Sequence, residues 1–169
     1  QYMIDGFAEI IKYGLIKDKN LFLQVIDEFH KCINQEDYEI LNNIIKKCCE
    51  YKVKIVEQDQ FDKNQRMILN FGHTIGHALE TYYNHDYLTH GQAIYYGMIA
   101  ASFISWKLSH LPEKYFIKIN NFIRTIPLVD ISDTEISKVI DCLDYDKKQK
   151  WNKNHFILLN DLGNCFITN

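Results

Sequence analysis

Proline and glycine are scarce in this chain. Two prolines and seven glycines among 169 residues leave too few turn formers for an all-β fold built of many short strands. No apolar run approaches the length of a membrane span, and no signal peptide is visible. Nineteen Lys and Arg are scattered in short clusters such as Lys46-Lys47, against 22 acidic residues. This argues against a nucleic-acid partner. The five cysteines, Cys32, Cys48, Cys49, Cys142 and Cys165, form no C-x-x-C pair. An odd count without framework spacing points to reduced thiols and a cytoplasmic protein, with Cys48-Cys49 as small packing residues. The chain also lacks an initiator methionine, and we expect it to be part of a longer one.

What is present is helical period. Apolar spacing predicts helices over Gln1–Ile16, Lys19–Asn34 and Glu36–Glu57, then over Arg66–Glu80, Gln92–Ser109, Glu113–Arg124 and Thr134–Leu143. Gly14 marks a helix end or a close approach. Pro112 starts one helix and Pro127 stops it. Asp146-Lys147-Lys148 reads as a polar loop, and His155–Leu159 with Asn164–Thr168 as a hairpin around D-L-G-N. The expectation is one mainly α domain over residues 1–169 with a small C-terminal β-hairpin. A core is affordable at 47% hydrophobic residues.

The stretch Arg66–Glu80, R-M-I-L-N-F-G-H-T-I-G-H-A-L-E, organises the rest. As a single helix it puts Arg66, Asn70, His73 and His77 on one stripe. Gly72 and Gly76 would each cost roughly 1 kcal/mol inside that helix, so another helix or a ligand should approach the backbone there. Two histidines four apart can grip a metal, but the H-E-x-x-H pattern fails because Thr74 follows the first histidine. The plainer reading is a pair of partly buried, hydrogen-bonded histidines. Glu9 and Lys12 could be an ordinary surface ion pair, although apolar residues flank Glu9 on both sides. Asp59 suits a solvated carboxylate or helix cap. His90 falls just before a helix N-terminus, where anions bind well. One acid and two or three histidines suit zinc, and Lys12, Lys52, Arg66 and Lys147 suit a substrate with carboxylate and phosphate.

Three segments resemble the C-terminal domain of 3-dehydroquinate synthases, zinc- and NAD-dependent enzymes of the shikimate pathway. G-F-A-E-I-I-K-Y-G at Gly6–Gly14 looks like the family's G-x-A-E-x-I-K block. The stretch Arg66–Ala78 is similar to R-x-x-L-N-x-G-H-[ST]-x-G-H-A, and H-G-Q-A-I-Y-Y-G-M at His90–Met98 to H-G-E-A-V-x-x-G-M. The resemblance implies that Glu9, His73 and His90 hold zinc, or another divalent ion such as cobalt. It makes His77 an acid/base group and gives Asp62 a proton-accepting role. Lys12, Lys52, Arg66, Asn70 and Lys147 would contact substrate, and Asp5 would reach NAD from the edge of the domain.

The implied reaction converts 3-deoxy-arabino-heptulosonate 7-phosphate to 3-dehydroquinate and phosphate, a phosphorus–oxygen lyase step in aromatic amino acid biosynthesis. Gln92 departs from the family's glutamate, and D-Q-F-D-K-N-Q-R departs from its D-E-x-E-x-G-x-R loop. No G-x-G-x-x-G occurs, so NAD would be bound mainly by an N-terminal domain outside this sequence. The isolated chain should then be inactive. The implied partners are a small sugar phosphate and that N-terminal domain, with no nucleic acid and no membrane, and a homodimer is compatible. Other readings are a related sugar-phosphate cyclase, a metal-dependent polyol dehydrogenase, a phosphohydrolase using His85-Asp86, and a non-catalytic helical module.

Overall fold

The computed structural model describes residues 2–34, 37–61, 65–108, 110–150 and 155–168, with the backbone alone over 144–150. The described elements are α1 (Tyr2–Lys17), α2 (Lys19–Ile33), α3 (Tyr38–Gln58), a 3-10 helix (Gln65–Asn70), α4 (His73–Tyr82), α5 (His90–Lys107), α6 (Glu113–Ile123), α7 (Ile136–Lys150), β1 (Ile157–Asp161) and β2 (Asn164–Ile167). The protein is therefore mainly α with one small antiparallel hairpin. No helix among the described residues is long and apolar enough to cross a membrane.

α1 is buried along most of its length, with Phe7, Ala8, Ile11, Leu15 and Ile16 nearly inaccessible. It packs on α2, α3 and α5. A helix apolar on nearly every face belongs inside a bundle. Gly14 lies within it and marks a close approach: a Cβ there would come 2.8 Å from the Cα of Phe22 on α2. Asp18 ends α1 and caps α2, its side chain accepting from Asn20 N and Leu21 N. Beneath this corner Phe7, Phe29, Phe122 and Phe22 form a chain of edge-to-face contacts that joins α1, α2 and α6.

α5 is the second buried helix, and Tyr95 ties it to α1 by donating to the Ile4 carbonyl at 2.9 Å. The hairpin closes the bundle from below. Leu159 N donates to Ser105 Oγ on α5, and Gly163 N to the Leu15 carbonyl on α1, so both helices hold the sheet. Its register pairs Ile157 with Ile167 and Leu159 with Cys165, and shifts before Asp161.

Three expectations need correction. The continuous helix over Arg66–Glu80 is broken. A 3-10 helix ends at Asn70, Phe71 enters the core, Gly72 takes φ 78°, and α4 starts at His73. Only glycine adopts that left-handed backbone without strain, so Gly72 sits between helices rather than inside one. The cause is crowding. A Cβ on Gly97 of α5 would collide with the Gly72 carbonyl oxygen, so what approaches the backbone here is a helix. Arg66 and Asn70 thus belong to a different segment from His73 and His77. Second, α7 continues through Asp146, Lys147 and Lys148, where a loop was expected. The segment has no glycine or proline, and Lys and Gln are good helix formers. Third, Cys48 is buried as expected for a packing residue, but Cys49 is exposed, since the two point about 100° apart around α3.

Candidate metal and substrate site

Glu9 and Lys12 lie one turn apart on α1, and Lys12 Nζ meets Glu9 Oε2 at 2.6 Å. This is no ordinary surface pair. The Lys12 side chain is 4% exposed and that of Glu9 41%. Burial pushes the Lys12 ammonium below its usual range, although Glu9 raises it, and Lys52 on α3 is near enough to lower it further.

His73 opens α4. Its Nδ1 lies 3.1 Å from the Phe71 carbonyl oxygen. A carbonyl only accepts, so Nδ1 carries the proton and Nε2 of the neutral ring presents a lone pair. That lone pair faces Glu9 Oε1 at 3.5 Å. Oε1 is itself buried and accepts no hydrogen bond among the described residues. Two acceptors thus face each other with nothing between them to share. A proton is a poor filler, because burial, with Lys12 adding to it, pushes His73 down to about 4.

His90 opens α5. It lies inside the helix as its first residue, where the sequence reading put it just before. Thr89 caps that helix: its Oγ1 accepts from Gln92 N, and Gln92 Oε1 accepts from Thr89 N. Gln92 therefore fills the reciprocal capping role that a glutamate can also fill, so this departure from the motif leaves the helix start intact. Thr89 Oγ1 also donates to Asp5 Oδ1 at 2.6 Å, binding the start of α1 to the start of α5. Asp5 is thus held against the turn that precedes His90, and a Cβ on Gly91 would collide with its Cα.

The three imidazoles gather at one corner. Ring centroids of His73 lie 5.4 Å from those of His77 and of His90, and His77 and His90 are 5.9 Å apart. The ligating atoms of Glu9, His73 and His90 all fall within 4.8 Å of one another. That bound is a little wider than the roughly 3.4 Å edge of a tetrahedron with zinc–nitrogen bonds. The atoms of His77, Glu80 and His90 satisfy the same limit. Glu80, which the sequence reading passed over, accepts from His90 Nδ1 at 3.1 Å and lies 3.9 Å from His77 Nε2. The H-x-x-E spacing of His77 and Glu80, one turn apart, was the available signal.

The other expected site residues divide. Arg66 N donates to Asp59 Oδ2 at 3.1 Å, so Asp59 acts as a cap, and the guanidinium reaches toward the Gln60 carbonyl. Asn70 is exposed at the end of the 3-10 helix. Asp62 lies outside the described residues, as does the side chain of Lys147. His85 and Asp86 sit in an exposed turn, and neither joins a group with metal-ligating spacing among the described residues. A groove of about 600 Å³ opens elsewhere, between the ends of α1 and α3 and the hairpin, lined by Ile16, Lys17, Ile55, Met67 and Phe166. None of the expected site residues lines it.

Residues 6–149 match the family described as 3-dehydroquinate synthase C-terminal. The 3-dehydroquinate synthase of Thermoanaerobacter pseudethanolicus is 39% identical over 167 residues, covering 98% of this chain and 47% of the relative. That of Clostridium acetobutylicum is 37% identical over 171 residues, covering 99% and 46%. The solved structure of 2-epi-5-epi-valiolone synthase from Streptomyces hygroscopicus subsp. jinggangensis 5008, with NAD+ and Zn2+ bound, matches with a TM-score of 0.84 at 18% identity, covering 99% of this chain and 47% of that one. A 2-deoxy-scyllo-inosose synthase complexed with carbaglucose-6-phosphate, NAD+ and Co2+ matches with a TM-score of 0.74 at 23% identity, covering 99% and 46%. At those identities the two structures bear on the fold alone. This chain spans about half the length of the curated relatives it matches. With the motifs, the helical fold and a match over residues 6–149 in agreement, the chain belongs to the family of 3-dehydroquinate synthase C-terminal domains.

Proposed function

We propose that this chain is the metal- and substrate-binding half of a 3-dehydroquinate synthase, which converts 3-deoxy-arabino-heptulosonate 7-phosphate to 3-dehydroquinate and phosphate. The observation that carries the metal part is the pair of facing acceptors, Glu9 Oε1 and His73 Nε2, with His90 beside them. A divalent cation turns that repulsive arrangement into a favourable one. One carboxylate and two imidazoles suit catalytic zinc, and cobalt accepts the same donors. When bound, the metal supplies Lewis-acid polarisation of a substrate hydroxyl, and NAD, held by an N-terminal domain, supplies reversible hydride transfer.

The chain's own residues then have separate tasks. Glu9 Oε2 holds Lys12, so one carboxylate orders both a ligand and a buried ammonium. Lys12, with Lys52 near it, puts positive charge where a carboxylate or phosphate would be neutralised. Arg66, Asn70 and Lys147 extend that surface toward the substrate's anionic groups and hydroxyls. His77, half exposed beside the ligand set, serves as proton donor or acceptor, and Asp62 accepts a proton from the loop before Arg66. Asp5, near the start of α1, would contact NAD from the edge of the domain.

Product analysis tests the reading. The whole natural protein, supplied with NAD, a divalent metal and 3-deoxy-arabino-heptulosonate 7-phosphate, should release phosphate and 3-dehydroquinate in equal amounts. Turnover of another sugar phosphate in its place would assign a different cyclisation. Residues 1–169 alone should give no turnover, and activity from them would overturn the two-domain reading.

A further inference from the structure

We propose that Glu80 is a positioning residue of this site: its carboxylate fixes His90 in the tautomer that presents Nε2 to the cation. The inference rests on the metal assignment made above for Glu9, His73 and His90. The geometry is specific. His90 Nδ1 lies 3.1 Å from Glu80 Oε1, so the ring donates from Nδ1 and its remaining lone pair is on Nε2. The Glu80 side chain is 12% exposed whereas that of His90 is 51% exposed, so the shielded partner orients the open one. His90 is the first residue of α5 and lacks a preceding helical turn to hold its ring. Glu80 comes from α4 and supplies that restraint from across the helix pair.

The second oxygen has a different neighbour. Glu80 Oε2 lies 3.9 Å from His77 Nε2, too far for a hydrogen bond. The carboxylate therefore addresses the ligand His90 through one oxygen. The pattern on His90 repeats that on His73, where the Phe71 carbonyl takes the Nδ1 proton. Both rings are thus anchored at Nδ1, a carbonyl doing so for the buried ring and a carboxylate for the open one. Outer partners of this kind orient ligand rings and raise their basicity.

The competing assignment makes Glu80 itself a ligand, with His77 and His90. Zinc affinity by chelator competition and the visible spectrum of the cobalt form separate the two, measured on the whole natural protein and on its Glu80→Ala, Glu80→Gln and His73→Ala variants. Glu80→Ala should weaken zinc binding roughly 10–100-fold. Glu80→Gln should recover most of that loss, because its amide oxygen still accepts from His90 Nδ1 and its shape is conserved. The cobalt bands of both loaded variants should match the parent in position and intensity, since no ligand has changed. Unchanged affinity in Glu80→Ala, equal loss in Glu80→Gln, or altered cobalt bands in Glu80→Gln would each overturn the positioning role. A parent protein that binds no zinc, or a His73→Ala variant that binds it equally well, would instead overturn the underlying metal assignment.

Discussion

Two polar clusters, one around Glu9 within α1 and one around Asp18 where α1 gives way to α2, are each centred on a carboxylate. Around Asp18, every acceptor meets a donor. Oδ1 takes Asn20 N and Leu21 N, and Oδ2 takes the Tyr51 hydroxyl at 2.6 Å. Burial raises Asp18, but those hydrogen bonds outweigh it and hold the carboxyl below its usual range. Nine residues earlier, Glu9 has one oxygen on Lys12 and the other facing a lone pair of His73. Asp18 has satisfied its needs within the chain. Glu9 has not, and a buried acceptor left unmatched costs roughly 1–3 kcal/mol. The first cluster fastens α1, α2 and α3 together. The second keeps an open requirement, which is what distinguishes a binding site from a fastening.

The largest effect that could break this contrast is on metal content. His73→Ala should leave purified protein with essentially no zinc, a greater loss than the roughly 10–100-fold typical of an outer partner. His77→Ala should retain metal while the whole enzyme slows by roughly 10²–10⁴-fold, as removal of a general acid/base group does. Equal zinc loss in both would restore a simple His-x-x-x-His grip and remove His77 from proton transfer. Elemental analysis of the two variants decides.

Next in size is the thermal response to metal. Zinc at about 100 times its dissociation constant should stabilise the protein by about 2.7 kcal/mol, which raises the midpoint by roughly 5–10 °C in a domain of this size. His73→Ala should abolish the response, and Asp18→Ala should leave it intact on a lower baseline. Differential scanning fluorimetry with and without zinc reads both. A response that survived His73→Ala would place the stabilising ion elsewhere.

The helices and the hairpin were legible because apolar period and turn chemistry act locally. The break at Gly72 was not. A 3-10 segment repeats every three residues and an α-helix every 3.6, so over six residues the apolar pattern of one passes for the other. What fixes the break is the approach of Gly97 from α5, a tertiary fact. The extent of α7 was missed for the converse reason: charged residues without a breaker read equally well as loop or solvated helix. At the site, spacing alone could not choose between His73 and His77, and their rings prove to be neighbours at 5.4 Å. The choice needs the Phe71 carbonyl that aims His73 at Glu9, and backbone carbonyls leave no trace in side-chain spacing. Glu9 was marked by apolar neighbours, and Glu80 by nothing beyond one turn's separation from His77.

A smaller effect tests the satisfied cluster. Asp18→Ala removes the α2 cap and the Tyr51 partner together, and should cost about 1–2 kcal/mol by chemical denaturation. Because the folded carboxyl is held below its unfolded value, its contribution is present above about pH 4 and fades as pH falls through the folded value. The variant should therefore lose less relative to the parent in acid than at neutral pH. A penalty that did not shrink in acid would mean that the cap works without its charge.

The smallest effect isolates one bond of that cluster. Tyr51→Phe deletes the hydroxyl that meets Asp18 Oδ2 and leaves the two backbone bonds of the cap in place. The expected cost is about 1 kcal/mol, the usual net value of a hydrogen bond at a partly exposed position. Both ends of the bond set its pH window. The hydrogen bond to Asp18, with burial adding to it, pushes the Tyr51 hydroxyl up to about 12. A group raised in the folded state contributes fully below its unfolded value and loses that contribution as pH rises through the folded one. The cost of Tyr51→Phe should hence be flat from about pH 5 to 9, and shrink in acid as Asp18 protonates and in alkali as the phenol ionises. A double-mutant cycle with Asp18→Ala should return a coupling close to the whole Tyr51→Phe cost, because the hydroxyl then has lost its partner either way. Coupling near zero would mean that the Tyr51 hydroxyl contributes independently of Asp18, and the contrast between the satisfied and the open cluster would rest on the helix cap alone.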